Sequence, residues 1–375
     1  MHKRNTTKKI NIGPIVIGGG SKIAVQSMCN TDTRDAAATV RQIKRLQDAG
    51  CEIIRVGVQD MDAAMALGRI KKQINIPLVA DIHFDHRLAL EAIRQGVDKL
   101  RLNPGNISDK SHIEAVVKAA KDHCIPIRIG VNAGSLKTVR AAHTAQAKAS
   151  ALVKGALSHV HILEKLDFED IVISLKASDV ETTVLAYKMM AAKRNYPLHL
   201  GITEAGSIFR GTIKSSVGLG IMLAQGLGDT IRVSLTAEPE KEIAVAYQIL
   251  QALNLRSTGV EVISCPTCTR TEVGLISIVN KLETELSKIQ NKTKIAFAAK
   301  PLKIAVMGCV VNGPGEAAEA DFGIAGAKGY GLLFKNGKAQ GKVAPAKWVS
   351  TLLSLVRKTM SAGRISQNNF KGCSR

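Results

Sequence analysis

Eight times within about 230 residues, a short run rich in Ile, Val and Leu is followed by a segment with helical spacing. The runs are 23–28 (IAVQSM), 53–58 (IIRVGV), 77–82 (PLVADI), 99–103 (KLRLN), 125–131 (IPIRIGV), 171–177 (IVISLKA), 197–203 (PLHLGIT) and 230–235 (TIRVSL). Near-continuous apolar runs of this length suit parallel strands buried on both faces. Between them, Ala36, Val40, Ile43 and Leu46 share one helix face, behind Asp35 and ahead of Gly50; Ala89, Ala92 and Ile93 share another, closed by Gly96. Eight such units predict an α/β chain with a (β/α)8 TIM barrel. The competing doubly wound open sheet needs a reversed strand order that no sequence displays. Residues 10–22 (INIGPIVIGGGSK) read as a hairpin ahead of the barrel, with Gly18, Gly19 and Gly20 as its turn. The GxxxxGK[ST] phosphate-loop spacing is missing, and Gly218 and Gly220 lack the third glycine of a dinucleotide fingerprint.

A chain of 375 residues holds more than one barrel of this size, and the texture changes near residue 256. Segment 256–375 carries 18 Lys and Arg against 7 Asp and Glu. A helix over 272–289, a strand over 302–307 and a helix near 346–358 are expected there. The domains are therefore 1–255 for the barrel and 256–360 for a second α/β domain. Residues 361–375 form a basic tail without predicted order, and 1–9 a short floppy one. The whole chain has 52 Lys and Arg, 31 Asp and Glu and a net charge of +21, which favours anionic partners. Aromatics at 3% argue against single-stranded nucleic acid, which stacks its bases on such side chains. Neither a secretory signal nor an uninterrupted apolar run of about 18 residues is present, so a cytoplasmic protein without a membrane span is expected.

In a (β/α)8 barrel the reactive end lies at the strands' C-termini. Seven of these strands end in polar residues: Arg55; Asp81 and His83; Arg101 and Asn103; Arg128 and Asn132; Lys176; Glu204; Arg232 and Ser234. One buried charge is commonly a structural ion pair. Five cations on five strands need an anion to offset their repulsion. Arg forks and a Lys point charge suit a ligand with at least two negative charges, such as a diphosphate. Asp81, His83, Asp85 and His86 are a weaker candidate divalent-metal set, because Asp85 is placed to cap the following helix. Lys176 is a candidate Schiff-base residue for a barrel lyase. His159 and His161 fall in a helical region and read as surface residues.

Seven cysteines, an odd number in a long chain, argue against a disulfide framework. Cys265-Pro-Thr-Cys268 and the later Cys309, in MGCVVNGPGE, put three thiols in two Gly/Pro-rich loops. A closed zinc site normally has four ligands, often as two C-x2-C pairs, and only one pair occurs. Three thiolates suit a [4Fe–4S] cluster with one iron left for another ligand, and Glu316 is the nearest following carboxylate. Zinc and unligated thiols stay open on spacing alone. With zinc, the chain would be a basic, zinc-stabilised nucleic-acid-binding protein. Cys29, Cys51, Cys124 and Cys373 are isolated and read as plain thiols.

Taken together, QSMCNTDTRD (26–35), ADIHFDHR (80–87), RLNPGNI (101–107), RIGVNAGSL (128–136), SLKASD (174–179), GITEAG (201–206), GDTIRVSLT (228–236), SCPTCTRTE (264–272) and MGCVVNGPGEA (307–317) resemble one family closely. It is the 4-hydroxy-3-methylbut-2-enyl diphosphate synthases of the methylerythritol phosphate route to isoprenoids, in the short bacterial form. The resemblance runs from about residue 10 to 335. It implies an oxidoreductase that binds 2-C-methyl-D-erythritol 2,4-cyclodiphosphate in the barrel and opens the ring by two-electron reductive dehydration. It further implies a C-terminal domain of sulfite/nitrite reductase type, with a [4Fe–4S] cluster on Cys265, Cys268, Cys309 and Glu316. Electrons would come from reduced flavodoxin or ferredoxin. The chain would work as a homodimer in which one chain's cluster closes over the other's barrel mouth. Arg55, Arg101, Asn103, Arg128, Asn132, Lys176, Arg232 and Ser234 would hold the diphosphate. Asp81, His83 and Glu204 would lie near the reacting carbons, with Glu204 as proton donor. Cys29 stands where the family pattern has Thr, an added thiol open to oxidation.

Overall fold

The structure, a computed structural model, describes residues 3–83, 85–107, 109–256, 259–293 and 302–368. It divides into two compact units, Met1–Arg256 and Ser257–Arg375.

The first unit opens with a hairpin, β1 (Ile10–Ile12) and β2 (Ile15–Ile17), followed by eight parallel strands. These are β3 (Ala24–Met28), β4 (Ile53–Val58), β5 (Leu78–Ile82), β6 (Lys99–Arg101), β7 (Ile127–Asn132), β8 (Ile171–Lys176), β9 (His199–Leu200) and β10 (Thr230–Ile231). All eight expected strands are present. Their order is β8-β7-β6-β5-β4-β3-β10-β9, and a parallel bridge between Ile173 and Leu198 joins the two ends into a barrel. Strand residues facing outward pack against the helices in one continuous core that includes Ile54, Leu78, Leu100, Ile127 and Ile173. Each fully buried Ile or Leu there contributes about 1.5–3 kcal/mol. Five helices begin at an aspartate whose carboxylate accepts a backbone N–H of the first turn: Asp35, Asp60, Asp85, Asp109 and Asp179. Each satisfies a donor that the helix leaves open and complements its dipole.

The floor of the barrel differs from expectation. The hairpin turns at Gly13–Pro14, pairing Ile10 with Ile17, and Gly18, Gly19 and Gly20 follow it. Ile10, Ile12 and Ile17 pack on Ala24, Ile53, Val79 and Val172, plugging the end where the strands start. Residues 3–9 are tied down, not floppy. Asn5 N–H donates to Gly226 O at 2.9 Å and Lys8 N–H to Asn195 O at 2.8 Å. Asp229, 2% exposed, takes Thr7 Oγ1 at 3.0 Å, Arg4 Nη2 at 3.3 Å and Leu198 N–H at 2.9 Å.

The second unit is a five-stranded sheet of β11 (Val260–Ser264), β12 (Leu302–Met307), β13 (Phe322–Ala327), β14 (Tyr330–Lys335) and β15 (Lys338–Val343), in that order. The first two pairings are parallel and the last two antiparallel. Helices Leu275–Thr293 and Trp348–Asn368 share a core with it: Leu282, Leu286, Ile304, Ile324, Leu352 and the wholly buried Trp348. Helix Gly313–Glu319 packs through Ala317 with Ala305, Met307 and Ala325. The last helix runs on to Asn368, ten residues past its expected end and into the segment read as a tail, since no proline interrupts it. Residues 369–375, with Cys373, lie outside the described residues. No helix among the described residues is long and apolar enough to cross a membrane.

Asp229→Ala strands the buried Leu198 N–H and frees Thr7 and Arg4. We expect a stability loss of about 1–3 kcal/mol in urea denaturation, with earlier proteolytic cleavage before residue 10. A loss below about 0.5 kcal/mol, ordinary for a surface change, would mean that the floor does not depend on this carboxylate.

Candidate active site

Because strand side chains alternate, every second residue of β3–β10 points into the barrel. Cross-strand register puts Arg101 beside both Asp81 and Arg128, and Lys176 beside Asn132. Asp81 is the acceptor at the centre: Arg101 Nη1 stands 3.2 Å from its Oδ1, His83 Nε2 3.5 Å, and Arg55 Nε 3.7 Å from its Oδ2. Burial alone would raise its carboxyl. The His83 hydrogen bond and the charges of Arg55, Arg101 and Arg128 outweigh that and hold it below the usual carboxylate range. Arg101 Nη1 also lies 2.8 Å from His83 Nε2, and Arg101 Nη2 donates to Gly130 O at 2.9 Å. Asn103 exchanges two 3.0 Å bonds with the backbone of Gly130.

The other cations have poorer partners. Arg128 is 2% exposed, and its Nε and Nη2 find no acceptor among the described residues. Arg55 and Arg232 both point N–H groups at the thioether of Met28, a weak acceptor, at 2.7 and 3.6 Å. Burial and the nearby guanidinium groups of Arg232 and Arg101 lower Arg55 to about 10. Arg232 Nε has one carboxylate, Glu242 on helix Pro239–Ala252, at 3.6 Å. Two glycines make room for this crowd. A Cβ on Gly130 would stand 2.9 Å from both Arg101 Nε and Arg128 Nη1, and one on Gly201 2.6 Å from Lys176 Nζ. Asn132 and Ser234 are half-buried at the ends of β7 and β10, and Glu204 is exposed beyond β9. Glu204 has φ +53°, a backbone state that costs a non-glycine residue about 1–2 kcal/mol.

Two functional-looking residues were missed in the sequence. Lys99 is wholly buried on β6, two positions before Arg101 on the same face, with Gln26 Oε1 3.5 Å from its ammonium. His199 is wholly buried on β9; its Nε2 lies 3.4 Å from Lys176 Nζ and its Nδ1 2.7 Å from Thr230 Oγ1. Alternation within KLR and PLHLG carried the signal for both.

Other expectations separate. Asp85 caps its helix, accepting from Arg87 N–H at 2.9 Å, and His86 stacks on His112 with ring centroids 3.5 Å apart. Asp81, His83, Asp85 and His86 thus do not gather as one metal set. His159 is not a surface residue: it is half-buried and its Nδ1 accepts the Gly105 N–H at 2.8 Å, whereas His161 is exposed. Cys29 and Cys51 are buried, which pushes both thiols up to about 12 and makes Cys29 a poor oxidation target. Cys124 is exposed.

In the second unit, parallel neighbours β11 and β12 end side by side, Ser264 opposite Val306. Cys265 directly follows the first and Gly308–Cys309 the second, so both loops leave one edge of the sheet. Gly308 N–H donates to Cys265 Sγ at 3.3 Å. Backbone N–H groups of Val311, Asn312 and Gly313 lower Cys309, with Cys268 near enough to oppose them; the Arg270 N–H lowers Cys268. Cys265 and Cys309 are half-buried and Cys268 is exposed. Glu316 is exposed in the first turn of helix Gly313–Glu319. Among the described residues no three His, Cys, Asp or Glu side chains converge on a single ion.

Residues 7–247 match the family model of the GcpE TIM-barrel domain, and residues 261–358 that of the GcpE protein C-terminal domain. Three similar proteins, from Clostridium perfringens, Geobacter sulfurreducens and Geobacillus kaustophilus, are each named 4-hydroxy-3-methylbut-2-en-1-yl diphosphate synthase (flavodoxin). The first is 54% identical over 94% of this chain and 99% of that protein. The second is 53% identical over 95% and 98%, and the third 54% over 93% and 91%. With both domain models matched and identity above one half along nearly its whole length, the chain belongs to the GcpE family.

Proposed function

We propose that this chain is an enzyme that reductively dehydrates 2-C-methyl-D-erythritol 2,4-cyclodiphosphate to 4-hydroxy-3-methylbut-2-enyl diphosphate, taking two electrons from a flavodoxin. The observation that carries the reading is the buried mouth of the barrel. Arg55, Arg101, Arg128, Lys176 and Arg232 converge there, and among the described residues Arg128 Nε and Nη2 have no acceptor. A ligand with two phosphoryl groups supplies those acceptors and offsets the charge.

The barrel's residues bind and orient. Arg128 and Arg101, stacked over Gly130, take one phosphoryl group with Asn103 and Asn132. Lys176, Arg232 and Ser234 take the other, and Arg55 bridges them. As the ring opens, one phosphate ester bond breaks and negative charge grows on the freed oxygen. These preorganised cations stabilise it without reorganising. Asp81 holds His83 and Arg101 in place. Glu204, held in its strained backbone at the end of the seventh barrel strand, gives the proton that lets the substrate hydroxyl leave as water.

The cysteine loops fit a [4Fe–4S] cluster. Such a cluster binds each thiolate at a different iron, so its ligands stand further apart than those of one ion. Three thiols at one sheet edge, with backbone N–H groups directed at their sulfurs, match that demand. Cys265, Cys268 and Cys309 would hold three irons and Glu316 the fourth. The cluster would supply low-potential electrons and one iron position open to an oxygen ligand. The mixed sheet of the second unit is read as an iron–sulfur domain of sulfite/nitrite reductase type. The active form is a homodimer in which the cysteine loops of one chain meet the barrel mouth of the other.

Protein purified without oxygen should contain about four iron and four acid-labile sulfide per chain, lost together in Cys309→Ser. Stoichiometric zinc without sulfide would overturn the cluster reading. Glu204→Gln should retain substrate binding and lose at least about 100-fold in turnover, the low end for a positioned proton donor. Unchanged turnover would remove Glu204 from that role.

A further inference from the structure

The reading above gives Lys176 a phosphoryl group to hold but leaves His199 and Thr230, which stand behind its amine, without a task. All three lie inside the barrel wall, where Lys176 is 7% exposed and His199 and Thr230 are wholly buried. The groups acting on Lys176 include the imidazole of His199, the guanidinium groups of Arg232, Arg128 and Arg55, and the carboxylate of Glu242. Among the described residues, Arg55, Lys99, Arg101, Arg128, Lys176 and Arg232 crowd the barrel against two carboxylates, Asp81 on β5 and Glu242 on the helix behind Arg232. Arginine does not give up its proton in a protein, so the empty site can shed charge only at a lysine. Lys99 and Lys176 are both driven well below the usual lysine value, first by burial and then by the neighbouring guanidinium groups. Lys176 is the one placed to regain the proton. Its amine lies at the mouth against an imidazole nitrogen, whereas Lys99 sits one layer deeper.

The geometry points to a proton-coupled binding site: Lys176 is an uncharged amine in the empty barrel and takes up one proton from solvent when the doubly charged cyclic diphosphate binds. This deepens the reading above and rests on it. No covalent bond changes. The proton becomes the third on the amine, the ammonium donates to His199 Nε2 or to the phosphoryl oxygens, and Nδ1–H of His199 donates to Thr230 Oγ1. His199 is a positioning residue, kept neutral by burial. A complex that holds more protons than its free partners tightens as pH falls. Affinity should therefore weaken about tenfold per pH unit above the empty-site lysine value and level off below it.

The test is calorimetric titration of 2-C-methyl-D-erythritol 2,4-cyclodiphosphate into the oxidised full-length holoenzyme at pH 8, without reductant, in two buffers of different ionisation enthalpy. Both phosphoryl groups of the ligand are strongly acidic diesters, so it brings no titration of its own. Wild type should show buffer-dependent heat equal to roughly one proton taken up per site. Lys176→Arg, which cannot shed its charge, and Lys176→Met, which has none, should each remove the buffer dependence, with weaker binding in the Met variant. Binding with identical heats in both wild-type titrations overturns the inference and spares the substrate assignment. Uptake that persists in both variants places the proton elsewhere and overturns it too. No binding by equilibrium dialysis in any form overturns the substrate reading and this inference with it.

Discussion

Like charges confined in one ring of strands repel, and the first unit is arranged around that repulsion. Six basic side chains point into a barrel that ordinarily fills its interior with Val, Ile and Leu. Their partners are drawn from a short supply: Asp81 for three of the neighbouring groups, Glu242 for Arg232, Met28 for two guanidiniums. Asp35, Asp60, Asp85, Asp109 and Asp179, in the loops that follow barrel strands, are turned away to cap helices. The interior thus keeps more basic groups than acceptors to pair them. The barrel has to be stabilised elsewhere, by the layer between strands and helices and by the isoleucine plug beneath.

That division explains what could be read from the sequence. The eight strands were legible because both faces are buried in a parallel barrel, so their outward residues form dense Ile/Val/Leu runs. The charges that interrupt those runs marked the mouth, and Asp85 showed itself as a cap. Lys99 and His199 stand deeper in their strands than the polar ends that mark the mouth, and alternation with apolar neighbours is their one signal. Residues 3–9 gave no local signal: their partners, Asn195, Gly226 and Asp229, are nearly 200 or more positions away. The glycine triplet drew the turn to itself, while the pairing of Ile10 with Ile17 put it at Gly13–Pro14.

The second unit was less legible for a different reason. Phe322–Ala327 is built of small residues (FGIAGA), and Lys338–Val343 is mostly exposed, so neither shows a period of two in hydrophobicity. The thiols, in contrast, were legible by spacing alone, though not the device that gathers them. Two parallel strands with matched ends deliver Cys265 and Cys309 to one edge, and the backbone amides of the second loop turn toward sulfur.

The way the barrel closes also sets the order in which the chain can acquire its structure. Strand β3 pairs with β10 through Ala24 and Thr230, and Arg4 and Asn5 find their partners at 229 and 226. During synthesis, none of these contacts can form until more than 200 residues have left the ribosome. Until then β3 is an unpaired edge, and the isoleucine hairpin lies over an unfinished sheet. Such long-range closure is slow and leaves strand edges open to other chains. The last barrel strand to emerge is therefore the one that ends this exposure, ahead of the loops that carry Cys265, Cys268 and Cys309.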